Sequence, residues 1–473
     1  MLFTSLEFLI LLIITFLIYY IPTLKKIQVQ ILIVSSFVFY AYNTPILLLL
    51  LFFSIAVNSV TSYLICFKDL KYQKIIATIG VVINLAVLCF FKYTPLFANT
   101  FLSNGDNIER FLISIPLPIG ISFFTFEGIT LLVDTYNNNV SERRKKILIA
   151  KDPLTHLTNV AFFISFFPHL ISGPILKAYE FFPQIMQKKL KDINWDKTIK
   201  LLVTGCFLKT VIADNLKEQT ANLSFPAFLT VPTSTLLFQL FGYSIQIFAD
   251  FAGYSLIALG LASLFGYVLN QNFNYPYIST SFSEFWRRWH ISLSSFLREY
   301  LYFPLGGNRK GRLRTYFNLL IVMFLGGLWH GAAWSYAVWG TFHGLLLAFE
   351  RFIKDYTNIK HNKITNVLCG IMVFICVSFG WLLFKLPDFN SVILYFRSLF
   401  NNRDIACSSF FMRINMYNFL YAIPVLLYHF YYLFKFKFPN SIILKYEYIL
   451  YGIMLFFIIT NSGVAGDFIY FQF

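Results

Sequence analysis

Long apolar runs alternate with short polar segments along the whole chain. The first run, residues 2–21, would form a helix about 30 Å long, enough to cross the hydrocarbon core of a bilayer. No basic segment precedes it and no small-residue cleavage site follows it, so we expect a retained span rather than a signal peptide. Further runs of the same kind cover residues 28–43, 46–66, 75–93, 116–136, 154–174, 198–214, 233–268, 316–350, 364–386, 414–433 and 447–466.

The runs at 233–268 and 316–350 are longer than one crossing needs, so we expect each of them to bend or fold back. Together the runs predict an all-α polytopic membrane protein with about 11–13 transmembrane or re-entrant helices. No internal repeat and no Gly/Ser-rich or Pro-rich linker divides the chain, so residues 1–473 are predicted to form a single membrane domain. The lack of a repeat also weakens the alternative of a secondary transporter or flippase.

The composition supports the same class of protein. Hydrophobic residues make up 58% of the chain and charged residues 13%, whereas soluble domains carry roughly 25% charged residues. These values exclude a soluble globular protein, a disordered chain and a small disulfide-rich secreted domain. The net charge of +16 would suggest nucleic acid in a soluble protein, but here the bases lie between the apolar runs. We therefore expect this chain to be surrounded by membrane lipid and not to bind nucleic acid.

The polar segments alternate in charge. Bases cluster after the first, third and fifth runs and again in the C-terminal third, at Lys25 and Lys26, Lys68 to Lys74, Arg143 to Lys146, 351–363 and 435–445. The segments between them, such as 94–115 and 387–413, carry few bases. Because cytoplasmic loops are enriched in Lys and Arg, this order predicts that the basic segments are cytoplasmic and that both termini lie outside.

The six cysteines show no CxxC spacing, and most lie in or beside apolar runs. We expect small buried hydrophobic residues at these positions, with neither a disulfide framework nor a metal site. Of the seven histidines, His361 lies in a basic segment and is expected to be a solvated loop residue. His156, His169 and His429 each lie alone in an apolar stretch, which favours hydrogen-bonded histidines that pack helices together.

His330 has different surroundings. It lies in the sequence GGLWHGAAW, between Trp329 and Trp334, in the middle of a long apolar run. Glycines four residues apart, Gly327 and Gly331, would let another helix or a substrate approach the backbone closely. Helix packing is the simpler interpretation, but a histidine flanked by tryptophans and glycines deep in a bilayer favours a functional role.

His290 follows two arginines that stand between tryptophans, in the sequence FWRRWHISLS. Trp286, Arg287 and Arg288 suit a helix that lies at the cytoplasmic membrane surface, with rings at headgroup depth and charges in water. Membrane anchoring is therefore the simpler interpretation of this segment.

A glycine-rich basic loop, PLGGNRKGRLR, follows at residues 304–314. Between residues 286 and 314 the chain has many bases, including Arg298 and Arg309, and one acid. Together with backbone N–H groups near Asn308, they could hold a phosphate-bearing cosubstrate. The enrichment of bases in cytoplasmic loops explains the same charges.

Asp250 is a carboxylate within an apolar run, four residues from Gln246 and therefore on the same helix face. Such a group needs a cation or hydrogen-bond donors, and Arg287, Arg288 or Arg298 are the candidates. A structural ion pair and a place in the lining of an active site both remain open for Asp250.

Several sequence blocks resemble the membrane-bound O-acyltransferase (MBOAT) family and follow the order in which that family has them. They are residues 117–126, 171–175, 246–255, 285–294, 302–311 and 326–334. The closing block, 468–473, resembles the bacterial branch that O-acetylates exported polysaccharides, which includes AlgI-like and PatA-like proteins for alginate and peptidoglycan. D-alanyl transfer to teichoic acids is an alternative with a similar two-histidine core.

The resemblance implies helices arranged around a central tunnel, with N-terminal spans at 1–110, a catalytic core at 111–350 and C-terminal spans at 351–473. It implies that His330 is the catalytic residue at the narrow part of the tunnel and that His290 lies towards its cytoplasmic mouth. The other residues expected to contact substrate are Asp250, Gln246, Trp286, Arg287, Arg288, Arg298, Asn308, Arg309, Trp329 and Trp334.

The resemblance further implies a bacterial inner-membrane enzyme that uses acetyl-CoA as donor, without a bound cofactor. His330 could act as a general base, because the unperturbed pKa of imidazole, about 6.5, suits proton transfer at neutral pH. It could instead carry the acetyl group transiently on its ring. Because no GxSxG motif or Ser-His-Asp set is evident, transfer to the sugar is expected to need a separate exported enzyme of the SGNH type.

Overall fold

The computed structural model describes residues 1–67, 70–102, 107–140, 149–357, 362–386, 388–466 and 468–469. Throughout these residues the regular secondary structure is helical, and the all-α polytopic class is confirmed. The basic segment 143–146, His361 and residues 470–473 of the closing block lie outside the described residues. The described chain forms two compact units, Met1–Leu202 with Ile257–Asn270, and Val203–Leu256 with Gln271–Phe473. The three-part division expected from the family resemblance stays a prediction.

The helices of the N-terminal half are α1 Leu6–Tyr19, α2 Gln28–Ala41, α3 Leu47–Phe67, α4 Leu70–Phe101, α5 Asn107–Ile113, α6 Ile121–Val140, α7 Pro153–Ser165, α8 Phe167–Leu170, α9 Ala178–Phe181, α10 Trp195–Cys206 and α11 Asp214–Gln219. Those of the C-terminal half are α12 Thr233–Leu264, α13 Phe282–Arg288, α14 Ile291–Phe296, α15 Arg312–His330, α16 Trp334–Tyr356, α17 Lys363–Gly380, α18 Leu382–Lys385, α19 Phe389–Asn401, α20 Ser409–Lys437 and α21 Glu447–Thr460.

Among the described residues, six helical stretches are long and apolar enough to cross a membrane. They are Pro22–Ala41, Leu47–Phe67, Lys71–Phe101, Thr233–Leu264, Lys363–Lys385 and Ser409–Lys437. Other predicted spans are built from shorter or interrupted helices. The first run, for example, forms a helix of only 14 residues, because Ser5 caps its start and Pro22 opens a 3-10 helical turn soon after its end.

Of the two runs expected to bend, one does. The run 316–350 is broken between α15 and α16, at Gly331 to Ala333. The prediction for 233–268 was wrong, because α12 is one continuous helix of 32 residues. Its sequence holds no proline, and its glycines face close neighbours in the protein, so nothing interrupts its hydrogen-bonding pattern.

Two further predicted spans end earlier than expected. The run 154–174 stops being helical at Ser165, and α8 is a separate short helix that begins just before Pro168. Pro168 has no backbone N–H group, and its ring would clash with the carbonyl group four residues earlier in a continuous helix, which accounts for the break. At the other end of the chain, α21 stops at Thr460 and residues 461–466 lack regular secondary structure.

The three histidines predicted to pack helices are buried and have partners in the protein. His156 Nε2 lies 2.9 Å from Ser62 Oγ, and His429 Nδ1 lies 2.8 Å from the Val425 carbonyl oxygen. His169 Nδ1 lies 2.9 Å from Glu127 Oε1, with both side chains fully buried. A structural role for these histidines is consistent with their positions.

Glycines bring α15 and α16 into close contact. A Cβ atom on Gly327 would lie 2.2 Å from the Tyr336 carbonyl oxygen, and one on Gly340 would lie 2.2 Å from that of Met323. The small residues near His330 therefore do allow a second helix to approach the backbone, as their spacing predicts. This contact fixes the helix that carries His330 against the helix that follows it.

Candidate active site

His330 is the last residue of α15 and is buried, with 3% of its surface exposed. Three aromatic rings surround its imidazole: Trp329 at a centroid distance of 5.0 Å, Trp339 at 5.1 Å and Phe384 at 5.3 Å. All three contacts are edge-to-face, with interplanar angles of 70° or more. The enclosure keeps bulk water away from the ring, which strengthens electrostatic interactions there.

Gly331 makes the turn after His330 possible. The chain leaves the helix there in an extended conformation, with φ −165° and ψ 159°. A Cβ atom at this position would lie 2.2 Å from the ring of Tyr336, so a side chain does not fit. The break between α15 and α16 therefore depends on this glycine, and it places His330 at a helix end.

His290 lies in the two-residue break between α13 and α14. Its backbone adopts a left-handed conformation, with φ 44° and ψ 56°, which is uncommon for a residue with a side chain. Asn272 holds it there: its backbone oxygen accepts a hydrogen bond from Ile291 N at 2.8 Å. Its Oδ1 atom accepts from Ser292 N at 3.2 Å and from Ser292 Oγ at 2.9 Å.

The same Asn272 Oδ1 atom lies 3.2 Å from His290 Nδ1. Because this oxygen already accepts a hydrogen bond from a backbone N–H group, it is an acceptor, and Nδ1 must carry the proton. Burial lowers the pKa of His290 to about 3, so the ring is neutral at physiological pH. Nε2 is then the nitrogen with the lone pair, the form that can accept a proton.

The structure brings the two predicted histidines together. The ring centroids of His290 and His330 are 6.1 Å apart, at an interplanar angle of 60°. Trp329 contacts both of them, at 5.8 Å from His290 and 5.0 Å from His330. Phe251 also contacts His290, at a centroid distance of 4.6 Å. Two neighbouring imidazoles in one aromatic enclosure can accept a proton and donate it again at a site that excludes bulk water.

The cation that pairs with Asp250 is Lys209, and the prediction of an arginine partner was wrong. Lys209 Nζ lies 2.7 Å from Asp250 Oδ1 and 2.7 Å from Asp214 Oδ1, with all three side chains about 95% buried or more. Lys209 lies in a π-helical turn, Phe207–Ala213, and Gly253 allows this turn to pack directly against α12. The close packing brings the lysine within reach of the aspartate.

The proposed arginine partners are engaged or exposed elsewhere. Arg288 pairs with Glu284 at 2.9 Å and donates to the Asn274 carbonyl oxygen at 3.0 Å. Arg287 is exposed, and the side chain of Arg298 is 55% exposed. These arginines therefore bond to other groups or face solvent, and Lys209 is the cation beside the buried aspartate.

The C-terminal segment completes the Lys209 cluster. The Gly466 carbonyl oxygen accepts a hydrogen bond from Lys209 Nζ at 3.1 Å, and Ile469 N donates to Asp250 Oδ2 at 2.8 Å. Phe468 is fully buried, 4.5 Å from the ring of Tyr254 and 5.7 Å from that of Phe251. The segment therefore reaches the ring that lies against His290.

The glycine-rich basic loop is exposed and has a fixed backbone. Gly306, Gly307 and Gly311 all have positive φ angles, which glycine adopts readily. Asn318 Nδ2 donates to the Gly307 carbonyl oxygen at 2.9 Å and so ties the loop to α15. Asn308 and Arg309, the predicted substrate contacts in this loop, are exposed to solvent.

The remaining predicted contacts differ in their distance from the two histidines. Gln246 is buried and accepts a hydrogen bond from Thr220 Oγ1, and it lines the same cavity as Asp250. Trp286 contacts Trp339, which in turn contacts His330. Trp334 begins α16 and is 50% exposed. Contacts of these residues with substrate stay predictions.

Several residues around the two histidines and Asp250 were not predicted: Phe251, Asn272, Trp339 and Phe384 beside the histidines, and Lys209 beside Asp250. A signal existed for Lys209, because it is a charged residue within the apolar run 198–214 and such residues are costly in a membrane. Nothing local marks Asn272 or Phe384, since each matters only through a neighbour distant in sequence.

The sequence matches the membrane-bound O-acyltransferase family, MBOAT, over residues 3–386. The peptidoglycan O-acetyltransferase of Helicobacter pylori is 33% identical over 426 residues, which cover 83% of this chain and 80% of that protein. The probable alginate O-acetylase AlgI of Pseudomonas aeruginosa is 37% identical over 327 residues, 68% of this chain and 60% of that protein. The teichoic acid D-alanyltransferase of Bacillus subtilis is 31% identical over 292 residues, 58% of this chain and 69% of that protein.

The family match covers most of the chain, and the relatives named above are all acyl-transferring enzymes. The alternative of a transporter without covalent chemistry is therefore excluded. This chain belongs to the membrane-bound O-acyltransferase family, and it is a polytopic membrane enzyme that transfers acyl groups.

Proposed function

We propose that this enzyme takes acetyl from cytosolic acetyl-CoA and delivers it across the bacterial inner membrane for O-acetylation of a periplasmic glycan. The observation that carries the proposal is the pairing of His290 and His330, 6.1 Å apart, in one buried aromatic enclosure. Of the possible acceptors we favour peptidoglycan, because the peptidoglycan O-acetyltransferase relative aligns over 80% of its length, whereas the alginate relative aligns over 60%.

In this proposal His330 supplies the chemistry. As a base, it takes the proton of the attacking hydroxyl group while the hydroxyl oxygen bonds to the thioester carbonyl carbon and the CoA thiolate leaves. As a nucleophile, its ring nitrogen bonds to the thioester carbonyl carbon and the CoA thiolate leaves. In a second step the acceptor hydroxyl oxygen bonds to that carbon, loses its proton and releases the imidazole. Both routes need a neutral imidazole, because only the neutral ring has a nitrogen lone pair.

The donor would meet the enzyme at the glycine-rich basic loop. Arg309 and Lys310 are exposed there, with Arg312 and Arg314 close behind in the sequence. Guanidinium groups and backbone N–H groups are the usual partners of phosphate oxygens, and CoA carries several phosphates. The many bases of this segment favour a cytoplasmic position, where acetyl-CoA is made available.

Delivery of the acetyl group towards the glycan would take place on the periplasmic side of the membrane. The same charge order puts both termini in the periplasm, so the C-terminal segment around Gly466 would face that side. A separate periplasmic enzyme of the SGNH type would then complete the transfer to the sugar. A neighbouring gene for such an enzyme would support this arrangement.

The test uses purified full-length protein in detergent with radiolabelled acetyl-CoA. We expect release of CoA that depends on the protein, together with loss of O-acetyl groups from the peptidoglycan of cells that lack the gene. CoA release with unchanged peptidoglycan but altered exopolysaccharide would identify the acceptor as alginate or a related polymer. No release of CoA would contradict the proposed donor.

D-alanyl transfer to teichoic acid is a second candidate, favoured by the 31% identity to the Bacillus subtilis enzyme. The two candidates differ in the donor. If the protein releases no CoA, and its gene lies beside that of a D-alanine carrier protein, D-alanyl transfer becomes the better assignment.

A further inference from the structure

A cavity of about 290 Å³ lies in the first unit, where three segments of the chain meet. Its lining comes from the segments 25–30, 154–159 and 185–187. Two of the lining residues, Lys25 and Lys26, are positively charged, and the described lining includes no carboxylate. The cavity therefore presents cations to a molecule that enters it.

Hydrogen bonds hold the backbone around this cavity in place. Gln28 is buried directly after the turn that carries the two lysines, and its Nε2 atom donates to the carbonyl oxygens of Tyr19 at 3.1 Å and Lys188 at 3.0 Å. Its Oε1 atom accepts a hydrogen bond from Lys188 N at 2.9 Å, which ties the turn to the chain just after the third segment. The second segment begins at the capped start of α7, where Asp152 accepts from Thr155 N at 2.8 Å. The walls of the cavity are therefore fixed by the fold.

The two lysines of the cavity are not neutralised by described acids. In the part of the chain that the structure describes, neither Lys25 nor Lys26 has a carboxylate within 4.0 Å of its ammonium group. The acid nearest in sequence to the lining is Asp152, and the backbone and hydroxyl groups of Thr155 already donate to it. The segment 141–148, which lies outside the described residues and precedes α7, contains four bases and one acid, so it adds no net negative charge.

Exposed apolar side chains border these cations. Leu154 and Met186 line the cavity and are 71% and 59% exposed, and Ile27 beside the two lysines is exposed as well. Three predicted membrane runs begin or end at these segments: 2–21, 28–43 and 154–174. The cavity therefore lies at the level where the chain enters and leaves the bilayer. Cations next to exposed apolar side chains at this level suit a lipid headgroup, whereas a soluble anion needs no apolar border.

We propose that this cavity binds the headgroup phosphate of an anionic phospholipid, whose acyl chains follow the exposed apolar side chains. The ammonium groups of Lys25 and Lys26 pair with the phosphate oxygens, and the amide of Asn159 in the lining can hydrogen-bond to a glycerol headgroup. A zwitterionic phospholipid binds less well, because its own ammonium group is repelled by the lysines. The enrichment of bases in cytoplasmic loops accounts for the charges alone, and it requires neither a cavity nor fixed walls. This lipid site does not depend on the proposed acyl transfer.

The test measures lipid binding by the purified full-length protein in detergent. The protein is titrated with dioctanoyl phosphatidylglycerol or dioctanoyl phosphatidylethanolamine, and each dissociation constant is taken from the rise in melting temperature. We expect the wild type to bind phosphatidylglycerol at least about tenfold more tightly than phosphatidylethanolamine. Lys25→Gln/Lys26→Gln should remove this preference and bring the two dissociation constants to within about twofold of each other.

Two further variants separate the cavity from general surface charge. Lys71→Gln/Lys74→Gln removes two exposed lysines from the next basic segment of the same unit, and it should leave the preference unchanged. Thr158→Trp keeps both lysines of the cavity and fills the space between them and α7 with a larger side chain, so it should weaken phosphatidylglycerol binding at least about fivefold. An equal loss in the Lys71/Lys74 variant, or full binding by Thr158→Trp, would overturn the proposal.

Probes without acyl chains identify the source of the phosphate. Glycerophosphoglycerol and inorganic phosphate, added at constant ionic strength, should give no rise in melting temperature at concentrations where phosphatidylglycerol saturates. If either binds as tightly as the lipid, the cavity holds a soluble phosphate compound and the lipid assignment is wrong. A wild-type protein without preference between the two phospholipids would also contradict it. The melting temperature without lipid shows whether each variant folds, and the single Lys25→Gln and Lys26→Gln variants replace the double one if it does not.

Discussion

The rings of His290 and His330 lie 6.1 Å apart and share Trp329 as a neighbour. The two residues are 40 positions apart in sequence. His290 precedes the N-terminus of α14, and His330 is the C-terminal residue of α15. Their meeting point is small, buried and aromatic. A substitution at either one should therefore affect the same reaction, but in different ways.

We expect His330→Gln to abolish glycan O-acetylation, with a rate loss of at least about 100-fold, because glutamine cannot act as a base or carry an acyl group. The measurement is the O-acetyl content of glycan from cells that express the variant. His290→Ala should leave more residual activity, since it would displace the donor rather than remove the reacting group. Near-normal activity of His330→Gln would make this histidine a packing residue.

Asn272→Ala should lower the rate of CoA release at least tenfold, because His290 and Ser292 lose their common acceptor. The buried backbone N–H group of Ser292 would also be left without a partner, at a cost of about 1–3 kcal/mol. Asn272→Asp keeps the acceptor and adds a negative charge, which raises the pKa of His290. Its pH–rate profile should therefore shift, whereas a purely structural role for Asn272 predicts an unchanged profile.

Acid should destabilise the folded protein through His290. Its pKa is about 3 in the folded state and about 6.5 when unfolded, so below pH 6.5 the unfolded chain binds a proton that the folded protein does not. The free energy of unfolding should fall by up to about 1.4 kcal/mol per pH unit from pH 6.5 towards pH 3. The melting temperature of His290→Gln should depend less on pH in this range than that of the wild type, and equal slopes would contradict the argument.

Replacing Arg309, Lys310, Arg312 and Arg314 together by Gln should raise the apparent KM for acetyl-CoA at least tenfold. Each exposed contact between a base and a phosphate would contribute on the order of 1 kcal/mol. The control is the pair Lys435→Gln/Lys437→Gln, in another basic segment, which should leave KM unchanged. Unchanged affinity in the fourfold variant together with altered topology would assign these bases to membrane orientation alone.

Lys209→Met should destabilise the protein by about 3–5 kcal/mol, because Asp214 and Asp250 would lose the ammonium group that lies 2.7 Å from each of them. The melting temperature in detergent reports the loss. Lys209→Met/Asp214→Asn/Asp250→Asn should recover most of it. Lys200→Met removes a partly exposed ion pair with Asp196 and should cost about 1 kcal/mol or less. Similar losses in both single variants would argue against a buried charge cluster.

Local sequence patterns predicted those features that depend on neighbours close in the chain. The apolar runs marked the membrane class, the glycines beside His330 marked the tight contact of α15 with α16, and the tryptophans near His290 and His330 marked the two histidines. The partner of Asp250 depends instead on packing between distant segments. Lys209 precedes Asp250 by 41 residues, and it reaches the aspartate only because Gly253 lets a π-helical turn pack against α12. Nothing in the sequence around Asp250 distinguishes that lysine from the nearby arginines.

The docking of Gly466, Phe468 and Ile469 in and around the Lys209 cluster also has a consequence for how the protein is made. Asp250 leaves the ribosome 219 residues before Ile469, its hydrogen-bond partner. At about 5–20 residues per second, this delay is on the order of 10–40 seconds. During that time the carboxylate lacks one of its donors, and Phe468 is missing from beside the ring that lies against His290. These contacts thus form only late in translation, and a chain cut short before Gly466 would reach the membrane with its helices inserted but its candidate active site incomplete.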